Sequence, residues 1–381
     1  MLSPHAVTTH GPSRRALLGG AGLGLLALTL GACSSRETVA TTGESTGDNS
    51  GAFTVTDMRG KEIHFSGPVQ RIATTIMPSP PMIAAVDGGY SRIVGINEAT
   101  IQSSKKGLFG EIFPEATTTT TIAPASFAPN IETVTSLNPD VVFQWADQGD
   151  GLVEPLENAG FTTFCLLYGT QEYLEKWVTM VSAILGKSER GAEMIEWMHA
   201  DEARIKGELA SVTTPVRVVH LSRSGEGYSA TNGKSYMHHW MTLAGGKNMA
   251  ENNLSTNNVV SAEQLIEWDP EVITLDSIDG LLPEHLYTDS ALSSLTAVKN
   301  RRVYKAPLGA YRWDVPGAES PLMWQWTTEL FHPSLTSHTL RASTTERIRY
   351  LYNYEVSQKQ LDAVFRVDVN SDSAGYDIFN A

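Results

Sequence analysis

The chain has 381 residues, of which 41% are hydrophobic, 18% charged and 8% aromatic, with a formal net charge of -14. That mix fits a globular protein with one large or two medium cores and excludes a collagen-like, disordered or polytopic membrane chain. The acidic balance leaves no basic footprint for nucleic acid.

The first segment reads as an address. Arg14 and Arg15 precede an apolar run from Ala16 to Leu30, which ends at Leu30-Gly31-Ala32-Cys33. The run is shorter than the ~20 residues of a membrane span, and small residues before a cysteine form a bacterial lipobox. Residues 1–32 are therefore expected to be a signal peptide and Cys33 the site of lipidation. The arginine pair points to Tat export of a folded protein, although Sec signals also carry such pairs. Residues 33–52 are rich in Ser, Thr and Gly and read as a flexible tether. The expected location is the extracytoplasmic face of the cell membrane. Gly43-Glu-Ser-Thr-Gly47 matches a hydrolase elbow, but it lies in the tether with no strand to present the serine. Cys165 sits in an apolar run and reads as an inert core thiol.

The body repeats itself. Residues 132–144 align without a gap on residues 263–275: a short helical segment ends at Asn138 or Asp269, a proline follows, and an apolar strand begins. Apolar runs at 69–76, 92–97, 140–145 and 162–168, then at 216–222, 271–276 and 301–306, alternate with helix-length segments. This pattern predicts mostly parallel sheets in two similar α/β lobes, at 53–170 and 213–340. Between them, residues 171–212 read as a helical strut. Leu174, Trp177, Val178, Val181, Ile184 and Leu185 share one face, and the segment from Glu189 to Val212 would span roughly 35 Å. Residues 341–381 read as a helix and a polar tail. Ligands of such sheets bind beyond the carboxyl ends of the strands, so a cleft between the lobes is expected.

Several stretches together resemble the class III solute-binding proteins of ABC importers, the ferric siderophore, haem and cobalamin group. They are residues 55–61, Arg71-Ile-Ala with Pro78-Ser79, residues 91–96, 137–142, 243–248 and 269–273. The resemblance implies two α/β lobes joined by a long helix, capture rather than catalysis, a monomer, and docking on an ABC permease. Family members commonly dock through one glutamate per lobe. This chain has Met82 and His239 near those positions, so docking would use other acids, such as Glu98 or Glu319, or a different permease surface.

Candidate ligand groups follow the strands. Ser79, flanked by prolines, would offer a hydroxyl to an oxyanion, or simply start a helix. Arg223, on a glycine loop, would pair with an anionic ligand and Tyr228 would stack on or ligate it, or the loop is simply solvated. Tyr311, Arg312 and Trp313 would suit a flat or anionic chelate, or pack their own loop. Trp145 and Gln148 would face them from the first lobe, unless Trp145 simply packs the core. Adjacent His238 and His239 point apart on a helix and cannot readily chelate one ion, and no metal site is expected. Tyr236 or His238 as a haem ligand is the weaker alternative. The function expected is a lipid-anchored binding protein for a ferric siderophore, with haem, cobalamin or molybdate as other cargo. An exported enzyme is the remote alternative, since no nucleophile elbow, HExxH helix or cysteine metal site is present.

Overall fold

The computed structural model describes residues 51–380 except positions 150, 226, 254, 256 and 257. The expected signal peptide, Cys33 and nearly all of the tether lie outside the described residues. Among the described residues no helix is long and apolar enough to cross a membrane.

A hairpin of β1 (Phe53–Thr56) and β2 (Glu62–Phe65) leads into the first lobe. There follow β3 (Ile72–Thr74), α1 (Ser79–Asp87), β4 (Ile93–Asn97), α2 (Glu98–Ser104), α3 (Phe109–Ile112), β5 (Thr121–Ala123), α4 (Ile131–Leu137), β6 (Val141–Trp145), α5 (Glu154–Asn158) and β7 (Thr163–Leu166). The five inner strands form a parallel sheet in the order β5-β4-β3-β6-β7. Two helices, α6 (Gln171–Leu185) and α7 (Ser188–Glu208), then lead to the second lobe. It contains β8 (Val216–Ser224), β9 (Gly227–Ala230), α8 (Tyr236–Leu243), β10 (Gly246–Asn248), β11 (Val259–Val260), α9 (Ala262–Trp268), β12 (Val272–Leu275), α10 (Pro283–Thr288), α11 (Thr296–Lys299) and β13 (Val303–Lys305). The chain closes with α12 (Ser320–Phe331), α13 (Leu340–Tyr352) and α14 (Gln358–Val364).

The second sheet repeats the first in its core: β10, β8, β12 and β13 are parallel neighbours, as are β4, β3, β6 and β7. The sequence echo has a structural cause at one repeated joint. Asn138 and Asp269 end α4 and α9 in the left-handed conformation, at φ 42° and 38°. Asp140 accepts the backbone N–H of Arg71 at 2.8 Å, and Glu271 accepts that of Arg217 at 2.9 Å. The Nε of each arginine donates to the carbonyl of the helix-ending residue, Arg71 to Asn138 at 3.1 Å and Arg217 to Asp269 at 3.0 Å. In both lobes an arginine at the entry of the first strand thus fixes where the next strand starts.

The α6 face named above is buried in full. α7 runs 21 residues, roughly 32 Å, and turns back on α6 through Gly186 at φ 68°. The two helices touch at Gly191, where a Cβ would stand 2.6 Å from the Cβ of Ser182. Gly191→Ala is therefore expected to push the helices apart and cost about 1–3 kcal/mol, read as a lower urea midpoint with unchanged secondary structure. One continuous core runs from the first lobe through α6, α7, α8 and α12 to the C-terminal helices. Smaller clusters fill the far side of each sheet.

One expectation is corrected here, and the tail is found packed. Residues 222–228 are not a loop: β8 continues to Ser224 and pairs antiparallel with β9, Arg223 opposite Tyr228, with Gly225 at φ 58° starting the turn. The polar tail is not a loose end. Asn370 donates to the carbonyl of Lys305 and accepts its N–H at 2.7 Å, Ser373 donates to Val303, and Tyr376 and Phe379 are buried. The tail thus supplies the hydrogen bonds that the outer edge of β13 would otherwise leave open.

Candidate ligand cleft

The carboxyl ends of the two sheets meet at a cleft of about 220 Å³ lined by Glu98, Ala99, Gln102, Ser103, Lys106, Ala125 and Ile278. One wall is α2. Asn97 accepts the N–H of Ala99 at 2.8 Å and donates to Pro124 at 2.7 Å, so one side chain caps the helix and ties β4 to β5. Glu98, Gln102 and Lys106 then follow at four-residue spacing along the cleft side. Lys106 is exposed and has no ion-pair partner among the described residues. The opposite wall is Ile278, whose N–H donates to Asp276 at 2.9 Å. Beside the cleft the lobes are joined through backbone: Leu108 N–H donates to Gly309 at 2.8 Å. A Cβ on Gly107 would come 2.8 Å from that same oxygen, so glycine alone fits the approach.

Beneath Ile278, where β8, β12 and β13 end, lies a buried polar group. Arg312 donates through Nε to Asp314 Oδ1 at 3.2 Å, and its terminal nitrogen donates to Asp314 Oδ2 at 2.7 Å and also to Asp276. Ser277 donates its hydroxyl to Asp314 Oδ1 at 2.6 Å. Burial alone would weaken the charge on Arg312, but Asp314 and Asp276 more than offset it and raise its pKa well above the usual value. Burial likewise opposes the Asp314 carboxylate, yet Arg312 and His220 hold it well below the usual range. His220, on β8, is 1% exposed and meets Thr274 on β12 at 3.0 Å. Nearby, Lys305 donates to Asp279 at 2.9 Å, and burial lowers its pKa despite that partner.

The predicted site residues separate on this frame. Arg223 is exposed on the hairpin, and its N–H donates to Asp279 Oδ2 at 2.6 Å, next to Ile278. Tyr228 is half-buried and donates to Asp289 at 3.1 Å; burial, then that carboxylate, pushes its pKa up to about 12. Ser79 is buried at the start of α1, with no hydrogen-bond partner for its hydroxyl. Trp145 is buried edge-on to Tyr168 and packed on Trp177. Tyr311 is buried. Trp313 is wholly buried and donates to Glu319 at 2.5 Å, so its ring packs the loop down instead of walling the cleft. Arg312 is neutralised by two carboxylates and is not a free cation for a ligand. Gln148 is exposed and bonds Asp147. Tyr236 is buried and committed to Gln171 and Trp324, and His238 is half-buried.

The docking substitutes also divide. Glu319 is 3% exposed and holds Ala310, Trp313 and Tyr352, so it is withdrawn from any docking surface. Glu98 is exposed but lines the cleft. The sequence reading passed over His220, Asp276 and Lys106. A histidine inside an apolar strand and an aspartate directly after one were the available signals.

A parallel two-lobe α/β body with its cleft at the strand ends defines a solute-binding architecture. Residues 114–308, more than half of the chain, match the periplasmic binding protein family, and the chain belongs to that family. Its sequence is 23% identical over 226 residues to the molybdate-binding protein MolA of Haemophilus influenzae, covering 54% of this chain and 64% of that protein. The chain thus spans less than two thirds of that curated relative. A periplasmic solute-binding protein from Veillonella parvula superposes with TM-score 0.75 at 28% identity, over 84% of this chain and 98% of that one. Molybdate-bound MolA superposes with TM-score 0.71 at 18% identity, over 80% and 99% of the two chains. CeuE of Helicobacter pylori with nickel and histidine gives 0.67 at 19%, over 82% and 98%. These last two likenesses speak to the fold alone.

Proposed function

We propose that this chain is the substrate-binding component of an ABC importer, capturing a compact metal-bearing oxoanion of the molybdate type and passing it to a permease. The observation that carries this reading is Lys106, an exposed cation without an ion-pair partner among the described residues, on the wall of a narrow inter-lobe cleft. A volume of about 220 Å³ falls below the roughly 300–1,000 Å³ of cavities that enclose drug-sized ligands. Such a space suits a small ion, and the sequence likeness to a molybdate-binding protein supports the same class. Tethering through Cys33 on the outer face of the membrane, and action as a monomer, complete the proposal. The relatives are named for binding, which fits capture without turnover.

A ferric siderophore is the second reading. β12 ends at Leu275 opposite Leu221, while β8 continues to Ser224. Arg223 therefore stands beyond the paired strand ends, where a bulkier anionic chelate would reach it. Calorimetric titration with molybdate, ferric citrate, a ferric siderophore, haemin and cobalamin separates the readings. Saturable molybdate binding is expected, weakened roughly 10-fold or more in Lys106→Ala. Siderophore binding that depends on Arg223 and leaves molybdate inert would transfer the function to the second reading. Heat changes for none of these ligands would refute both.

A further inference from the structure

We infer that Arg366 is a positioning residue of the cleft: it holds the wall formed by Ile278 at its distance from α2 and so sets the size of anion admitted. The inference rests on the cleft reading above and deepens it. Of the seven residues that line the cleft, only Ile278 belongs to the second lobe. The width therefore depends on where the short segment from Asp276 to Asp279 is held. Most of its side-chain hydrogen bonds stay within its own lobe: Arg312 binds Asp276, Ser277 donates to Asp314, and Lys305 and the Arg223 N–H bind Asp279. Arg366 is the exception. Its Nη2 donates at 3.1 Å to the Ser277 carbonyl, in the peptide group joined directly to Ile278.

The helix before Arg366 is fastened to both lobes. Gln360 of α14 donates to Glu111 of α3, in the first lobe, at 2.5 Å. Val364, at the end of α14, accepts the Leu308 N–H at 2.9 Å, beside the Gly309 carbonyl that Leu108 binds. About 6 Å of helix separates these two anchors. Arg366 thus holds Ile278 against a reference that belongs to the first lobe as well as the second.

The residue is unfavourable there on two counts. It follows the end of α14 in the left-handed conformation, at φ 56°, where its N–H donates to Ala363 and that of Val367 to Asp362. Glycine makes this double closure without strain. α4, α9 and α13 place Asn138, Asp269 and Asn353 at their left-handed ends. The guanidinium is half-buried, makes no ion pair among the described residues, and leaves Nε buried without a hydrogen-bond partner. Burial lowers its pKa against weaker pulls from Asp368 and Tyr376. Arg301, the other arginine in that conformation, is compensated by Asp372 at 3.0 Å and by stacking on the Tyr287 ring. Strain and an uncompensated buried charge both destabilise a fold, so what the Arg366 side chain contributes is the Ser277 contact.

The test is Arg366→Gly, which keeps the left-handed helix end and removes that contact. Its urea midpoint should be no lower than that of the natural protein. Without any ligand, the Ile278 and Asp279 amides, both bonded to Asp276, should exchange hydrogen roughly 10-fold faster or more while the β12 amides keep their rates. In calorimetry the variant should lose roughly 10-fold or more in affinity for molybdate and keep or gain affinity for ferric citrate. Arg366→Lys, which retains a cationic donor, should restore the natural preference. Unchanged protection of Ile278 and Asp279 overturns the inference, as does an unchanged ratio of the two affinities. Faster exchange spread over β12 with a lowered midpoint overturns it too. A natural protein that binds neither anion refutes the proposed function alone, and the ligand-free exchange still decides the role of Arg366.

Discussion

Glu319→Gln is expected to abolish a loss of stability that the natural protein undergoes between pH 4.5 and 7. Burial pushes the Glu319 carboxyl up to about 7 from an ordinary 4.5, against the opposing pull of Trp313, Tyr352 and Ala310. Between those values the folded protein holds a proton that the unfolded chain has released. Stability therefore falls as pH rises through this window and levels off above 7. The span is worth roughly 3 kcal/mol at 1.36 kcal/mol per pH unit. Glutamine keeps an acceptor for Ala310 and Trp313 and a donor for Tyr352, but has nothing to titrate. Urea midpoints at pH 5 and 7.5 should differ for the natural protein and coincide for the variant. Equal pH dependence in both would assign the effect to another group.

Asp314→Asn is expected to act at the opposite end of the scale. The natural carboxylate is held well below its ordinary range by Arg312 and His220. Its contribution is complete above the unfolded value of 3.8 and disappears as pH falls through the lower folded value. Removing its charge leaves Arg312 buried with Asp276 alone and strips the fork that Arg312 makes with both oxygens. Breaking a buried pair in this way costs about 3–5 kcal/mol. The variant should show a lower urea midpoint at pH 7, and the deficit should shrink as the solution is acidified. A deficit independent of pH would mean that lost packing, rather than lost charge, was responsible.

Much of the scaffold was legible because buried parallel strands and their crossover helices leave a strong pattern. The repeat at 132–144 and 263–275 marked both lobes, and its Asn138 and Asp269 are the left-handed helix ends that make the pattern recur. The stripe from Leu174 to Leu185 similarly announced the face that α6 buries. The hairpin of β8 and β9 was hidden by its polar side chains, since Ser, Arg and Gly suit a loop as well as an edge strand. Position after a strand could nominate cleft residues, but not decide between a wall and a floor. Arg312 and Trp313 were found as chemistry-bearing residues, yet their partners Asp276, Asp314 and Glu319 decide their roles. The pairing with Asp276 is 36 residues away, and the nearer ones with Asp314 and Glu319 follow no helix or strand period, so none shows in local spacing. Lys106 was missed for the converse reason: an unpaired surface lysine looks ordinary until the opposite wall is known.

The chain crosses between the lobes more than once. α7 carries it over, and the C-terminal helices carry it back, with Tyr352 of α13 set edge-on against Phe109 and Phe113 of the first lobe and Arg190 donating to the Tyr350 carbonyl at 2.6 Å. Two bodies joined at a single point can tumble; two bodies joined along a line can only fold about it. Opening the cleft is in that sense a page turning on its spine, with the Leu108–Gly309 contact as a clasp at one corner. Because one packed core is continuous across those joints, any such turn would be small, and the empty cleft would already have nearly the shape of the loaded one.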